Sequence, residues 1–308
     1  MKIFILSPNY KQLIVGNKLD GKLEKTGDLI VVSKIQPLES IKELFQGNEP
    51  RVLAIDPDFC DWKVPNEAIK KIPNLKAICL QTTSFSWVDI EFMKKINIPV
   101  MNLRGFSSIA VAEWATMMAL NVARKIPLVV QDKWKYDYNK HKGVEIRGKT
   151  AGIIGLGSIG TAIAENCKGL GMKVQYWSKN SKDKRFDPVT LSKLMKTSDL
   201  ILPAVAQNER TRGLITDKML KSMKQNAIFV SIVHKIYNHK LLEKLIKQEK
   251  IYGLANEEEE TNTAKTKGNI WTGLQLAWCT EDSMRKNAHQ WVESITDASK
   301  GKYTTKVN

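Results

Sequence analysis

The residues of this chain with the plainest chemical purpose form the loop Gly155-Leu156-Gly157-Ser158-Ile159-Gly160. It follows the apolar strand pattern of residues 151–154 and opens a helical pattern over 159–170. In that setting the first glycine permits a tight turn, the second lets the backbone approach a pyrophosphate, and the third lets the helix lie close to the sheet. The free N–H groups at the start of the helix favour an anion. Dinucleotide binding is the chemistry this spacing implies, with Gly155, Gly157, Ser158, Ile159 and Gly160 as contacts. Roughly twenty residues further on, an acid ordinarily accepts hydrogen bonds from the adenosine ribose at the end of the second strand. Here that strand pattern, Lys173-Val174-Gln175-Tyr176-Trp177, ends in Ser178-Lys179-Asn180. No carboxylate repels a 2′-phosphate and a cation stands beside the position, so NADP fits at least as well as NAD.

A loop of this kind needs a parallel sheet to hold it. Strand-like stretches near residues 2–6, 51–56, 76–81 and 100–102 are separated by lysine-rich amphipathic segments such as 41–45 and 90–95. That is the βαβ rhythm of a parallel sheet. Residues 107–123 form an apolar helical stretch whose run of Ala, Met, Leu and Val implies burial on most sides. The polar, aromatic, lysine-rich residues 131–147 fit an exposed connection. Strand patterns then resume at 151–154, 173–176, 200–203, 227–231 and 251–254. The last amphipathic segment, 283–296, cannot form a domain alone and is expected to pack on the N-terminal half. The fold class implied is α/β, with two doubly wound parallel-sheet domains.

At 308 residues the chain is long enough for two cores of ordinary size, and 43% of it is apolar. No run of eighteen or more uncharged apolar residues is present to span a bilayer. The N-terminus carries a lysine and a short apolar run but reaches Pro8 without a small-residue cleavage site, and reads as a first buried strand. Cys60, Cys79, Cys167 and Cys279 lie far apart, which suggests neither a zinc site nor a disulfide framework. No metal is expected, and reduced thiols fit a cytoplasmic protein. The net charge of +16 attracts anions, nucleic acid among them. The lysines are dispersed along the whole chain, however, so the charge reads as a generally basic surface and argues against a nucleic-acid site.

Six segments, the glycine loop among them, resemble the D-isomer-specific 2-hydroxyacid dehydrogenases. They are Pro73-Asn74-Leu75-Lys76, Asn97-Ile98-Pro99-Val100-Met101-Asn102, Ala110-Val111-Ala112-Glu113, the glycine loop itself, Thr211-Arg212-Gly213-Leu214-Ile215, and Met223-Lys224-Gln225-Asn226-Ala227-Ile228-Phe229-Val230. The resemblance implies a flavodoxin-like substrate domain from residues 1–102 and 284–308, a Rossmann NAD(P)-binding domain from 103–283, and a cleft between them. It also implies a homodimer joined through the cofactor domain. The implied reaction is hydride transfer between NAD(P)H and a small anionic 2-oxo acid. Further cofactor contacts implied are Ser178, Lys179, Asn180, Ala204, Val205, Val233 and Glu257.

The family's catalytic set is an arginine for the substrate carboxylate, a histidine that moves the hydroxyl proton, and a carboxylate that tunes the histidine. All three positions are altered here. His234 stands where the arginine is expected, followed by Lys235 and Ile236 in place of glycines. The histidine position aligns with Gln275, and an amide does not shuttle protons at neutral pH. The carboxylate position falls near Asn262, with Glu259 or Glu260 of the run Glu257-Glu258-Glu259-Glu260 the candidates to replace it, Glu260 first. A solvated acidic loop is the competing reading of that run. His234 suits either a cationic anchor or a proton donor, since imidazole titrates near neutrality. Thr82, Thr83 and Ser84 occupy the place of the family's carboxylate-binding loop, and Arg104 is a candidate replacement cation. Two functions are therefore carried forward: an oxidoreductase with an altered active site, and a catalytically inactive NAD(P)-binding protein serving as redox sensor or subunit.

Overall fold

The structure is a computed structural model that describes residues 1–258 and 261–308, so the candidate Glu260 and its neighbour Glu259 lie outside the described residues. The chain divides into two units, Met1–Ser107 with Thr280–Asn308, and Ser108–Cys279. The family resemblance implies cuts after 102 and before 284. Leu103 and Phe106 belong to the first unit's core, and the final helix takes its cap from Thr280, which accounts for the difference.

In the first unit, strands β1 (Lys2–Leu6), β2 (Asp28–Val32), β3 (Arg51–Ile55), β4 (Leu75–Leu80) and β5 (Val100–Met101) form one sheet in the order β2-β1-β3-β4-β5. All four pairings are parallel. Alternate residues of a strand point to opposite faces, and both faces here are covered. Ile3, Ile5, Val52 and Ala54 pack into one apolar cluster, while Phe4, Leu6, Leu53 and Ile55 pack into another. The first cluster is closed by the helix Glu281–Ser299, which buries Trp291, Val292 and Ile295. Trp291 Nε1 donates to the Cys79 carbonyl at 3.0 Å, so its one polar group is satisfied inside the core. Strand β2 carries no clear sequence signal because it lies at the sheet edge and is half exposed. The expected helix over 41–45 is a 3₁₀ turn, Lys42–Phe45.

In the second unit, β6 (Thr150–Ile154), β7 (Lys173–Trp177), β8 (Asp187–Pro188), β9 (Leu200–Pro203), β10 (Ile228–Ser231), β11 (Gly253–Asn256) and β12 (Ile270–Trp271) form a seven-stranded sheet, order β12-β11-β10-β9-β6-β7-β8. Its pairings are parallel throughout. The chain steps outward from β6 through β7 to β8, then returns to β9 on the other side of β6. That reversal opens a crevice at the C-terminal ends of β6 and β9, the place where doubly wound sheets bind dinucleotides. One face is covered by the helices Ser108–Ala123 and Ser158–Gly169, with Ala112, Ala115, Ile153, Ala162 and Val230 in their shared core. The other face buries Ile154, Ile201, Phe229 and Leu254 beneath the helices Leu191–Thr197 and His239–Lys247. Among the described residues, no helix is long and apolar enough to cross a membrane.

Candidate functional site

The glycine loop leaves β6 and turns directly into the helix Ser158–Gly169. Gly155 has φ +95°, in the region that disfavours side chains, and an added Cβ there would strike Val205 and the Ala204 carbonyl. A Cβ on Gly160 would collide with the Gly155 carbonyl oxygen, so these two glycines hold helix, turn and the β9 loop together. Gly157 differs from both, because an added Cβ would meet nothing within 4 Å. Its backbone faces open space, the cradle a pyrophosphate needs. The helix has no side-chain N-cap, and its first turn leaves the N–H groups of Ser158, Ile159 and Gly160 without intrahelical acceptors. These residues fit a dinucleotide phosphate.

Neighbouring loops complete this half of the crevice. Gly155 N–H donates to the Trp177 carbonyl at 2.7 Å and Ala204 N–H to the Ile154 carbonyl at 2.7 Å, which brings the ends of β7 and β9 beside the glycine loop. Ala204 and Val205 are half-buried there. At the end of β7 the Ser178 hydroxyl accepts from Ser181 N–H at 3.2 Å and closes a short turn. Lys179 and Asn180 project from that turn, fully exposed. Arg185, further along, is already paired with Glu165 and Asp183.

On the other side of the crevice, β10 ends at Ser231, whose hydroxyl donates to the Val233 carbonyl at 2.7 Å and accepts Val233 N–H at 3.2 Å. This fixes the turn that carries half-buried His234. Lys235 then takes φ +60°, a left-handed conformation rare for a lysine, and its carbonyl accepts Gly213 N–H at 3.2 Å. The ring of Tyr237 packs edge-on against Phe229, 5.0 Å between centroids, and burial pushes its phenol up to about 12.

Strand β11 delivers the acidic run. Glu257 is buried, and its Oε1 accepts Ala277 N–H at 3.0 Å. Burial holds its carboxyl above the usual range, opposed by the N–H groups of Ala277 and Leu276. Glu257, a cofactor contact that the resemblance implies, thus also holds the 273–279 loop. Glu258 faces elsewhere: its N–H donates to the Gly273 carbonyl at 2.8 Å and its carboxylate accepts from Asn256 Nδ2 at 3.2 Å. Gln275 is exposed, between exposed Leu274 and Leu276. Asn262 is also exposed and caps a turn by accepting Ala264 N–H at 3.1 Å. Sequence reasoning missed Tyr237 and Asn256, for which residue type offered no signal, and named Glu258 only as part of the run.

In the first unit, Thr82, Thr83 and Ser84 follow β4 at the C-terminal edge of its sheet. The Thr82 carbonyl accepts Leu103 N–H at 3.0 Å, the Thr83 carbonyl accepts Asn102 Nδ2 at 2.7 Å, and Thr82 Oγ1 accepts Ser84 N–H at 3.3 Å. These bonds order the loop and bring Arg104 next to it. Arg104 is exposed, and its guanidinium makes a 3.5 Å contact with the Lys306 carbonyl. Among the described residues, no group of three or more His, Cys, Asp or Glu is placed to hold a metal ion.

Residues 116–273 match the family model for the D-isomer specific 2-hydroxyacid dehydrogenase NAD binding domain. A glyoxylate reductase of Thermococcus litoralis is 35% identical over 183 residues, covering 55% of this chain and 55% of the relative. The match thus spans about half the length of that curated relative. Among solved structures, an acyclic imino acid reductase in complex with NADPH and D-Arg superposes with a TM-score of 0.82 at 26% identity, covering the whole of both chains. The NAD-complexed D-isomer specific 2-hydroxyacid dehydrogenase of Lactobacillus delbrueckii ssp. bulgaricus also has a TM-score of 0.82 over the whole of both chains. At 20% identity that likeness shows the fold, two parallel-sheet α/β domains with a Rossmann cofactor domain.

Proposed function

The chain belongs to the D-isomer specific 2-hydroxyacid dehydrogenase family, and from that premise we propose that it is an NAD(P)H-dependent reductase whose altered site works on the imine of a small 2-oxo acid. Its cofactor is a nicotinamide dinucleotide, NAD or NADP, and when bound it supplies the hydride. The observation that carries the imine reading is the pair His234 and Gln275 at positions where the family has an arginine and a histidine.

Reducing a carbonyl creates an alkoxide that must take a proton, which is the work of a positioned acid. Gln275 can orient a group through its amide but cannot supply that proton. A protonated imine brings its own. Hydride adds to C2, the C=N π pair moves onto nitrogen, and a neutral amine results with no proton drawn from the protein. The reading is supported by the imino acid reductase that matches the chain over its whole length. In the same reading the first unit is the substrate domain, with Thr82, Thr83, Ser84 and Arg104 as its candidates to hold the substrate carboxylate. The absence of an acid at the end of β7, with Lys179 exposed beside Ser178, supports NADPH as the preferred cofactor. The groove of about 870 Å³ between the helices Ser108–Ala123 and Ser158–Gly169, lined by Met117, Leu120 and Leu170, supports assembly with a second copy; light scattering of the purified protein checks this.

A second reading, cofactor binding without chemistry, is favoured by loss of the same two family residues. One experiment separates the two. The protein is titrated with NADH and NADPH by fluorescence, then offered glyoxylate, pyruvate and hydroxypyruvate with and without an amine. Amine-dependent consumption of NADPH supports the reductase. Enzyme-like turnover of the oxo acids without amine overturns the imine reading, and tight binding without any consumption establishes the second.

A further inference from the structure

Strands β10 and β11 run side by side with Ser231 opposite Asn256, so the residues just beyond them meet at the C-terminal edge of the sheet. In a doubly wound sheet of this order the dinucleotide lies across that edge, with its adenosine half toward β7 and its nicotinamide half toward β9, β10 and β11. Glu257 is turned inward onto Ala277 N–H, whereas the following carboxylate, Glu258, accepts from Asn256 Nδ2.

Glu258 is unusual in three respects. Its neighbours are neutral donors: Asn256 Nδ2 at 3.2 Å, with the Tyr237 phenol close enough to feel its charge. Among the described residues it forms no ion pair within 4.0 Å, in a chain whose net charge is +16. And Asn256, only 2% exposed, leaves its Oδ1 without a hydrogen-bond partner on the amide that holds Glu258. A carboxylate offers about four lone-pair sites, of which the amide occupies one. A half-buried carboxylate held by one neutral amide fits a ligand that brings positive charge and N–H groups.

We propose that Glu258 binds the positively charged nitrogen of the substrate, and that it selects iminium and ammonium compounds over neutral carbonyls. The proposal rests on the reductase reading, and deepens it by naming a residue and a charge class. An iminium is favoured beside a fixed negative charge in a poorly solvated site, whereas a neutral carbonyl gains nothing from it.

The test uses the full chain saturated with NADP⁺ and two cations, arginine and methylammonium, measured by calorimetry. Binding of either, weakened about tenfold in Glu258→Gln and largely kept in Glu258→Asp, with NADPH affinity unchanged, is the expected result. Turnover with pyruvate and arginine should show the same variant raising KM for arginine about tenfold while kcat changes far less. Absence of cation binding to the unaltered protein, or equal binding by Glu258→Gln, overturns the assignment. Binding that depends on Glu258 without NADPH consumption overturns the reductase reading and leaves the assignment standing.

Discussion

Along one edge of the second unit's sheet, the two halves of the crevice are constrained in different ways. Beside β6, the backbone imposes the residue types: Gly155 at φ +95° and Gly160 against the Gly155 carbonyl leave no room for substitution, and Gly157 keeps a cradle open. Beside β10 and β11, the backbone does not dictate the side chains in this way. Lys235 takes φ +60° where the resemblance implies a glycine, and the turn presents His234 where it implies an arginine. Binding of the cofactor depends on backbone N–H groups and survives as long as the glycines do. The reaction depends on a few side chains and can be redirected by replacing them, and the two properties are therefore separable by mutation.

The largest effect expected is on the binding half. A Cβ at position 157 meets nothing within 4 Å, so thermal unfolding of Gly157→Leu should move by only a few degrees, about 2–4 °C. Its side chain fills the cradle, and NADPH affinity should fall by about a hundredfold or more. An unchanged dissociation constant would mean the dinucleotide does not use this loop. On the reaction half, His234→Arg with Gln275→His returns a carboxylate fork and a proton donor. Amine-independent reduction of pyruvate should rise at least about tenfold, with NADPH affinity unaltered. No gain would show that side chains beyond these two have diverged.

Smaller effects probe how the reaction half is built. The folded protein holds the Glu257 proton more tightly than the unfolded chain does, because burial raises that carboxyl. The stability from this linkage is full below the ordinary carboxylate range and is lost as pH rises through the raised value. Glu257→Gln should therefore flatten the decline in urea midpoint as pH rises above the ordinary carboxylate range, and an identical slope in both proteins would rule out that linkage. Lys235→Gly should stabilise the protein by about 0.5–1 kcal/mol, the relief of a left-handed lysine less the greater freedom of an unfolded glycine. Destabilisation instead would mean the lysine side chain makes a contact worth more than that strain.

The same contrast explains what was legible in the sequence. The glycine loop could be read because its residue types are dictated by local backbone geometry, and β6 and its helix follow from their apolar patterns. The missing acid at the end of β7 was equally plain, since the end of an apolar strand marks the position. Strand β2 was not readable, being a half-exposed edge strand of five residues, nor were β8 and β12, at two residues each. Which face each acid of the run would take was also hidden. It depends on where the 273–279 loop offers the N–H of Ala277, a contact across twenty residues that no local pattern encodes. Tyr237 and Asn256 join the site only because parallel pairing sets Ser231 beside Asn256.

The central claim is that hydride goes to the C2 carbon of an imine. It is tested most directly with NADPH deuterated at the transferable position of the nicotinamide, pyruvate, and arginine as the amine. Mass spectrometry of the products should find deuterium at C2 of the N-substituted amino acid and none in lactate. Deuterium in lactate, formed at the same rate without arginine, would contradict the claim.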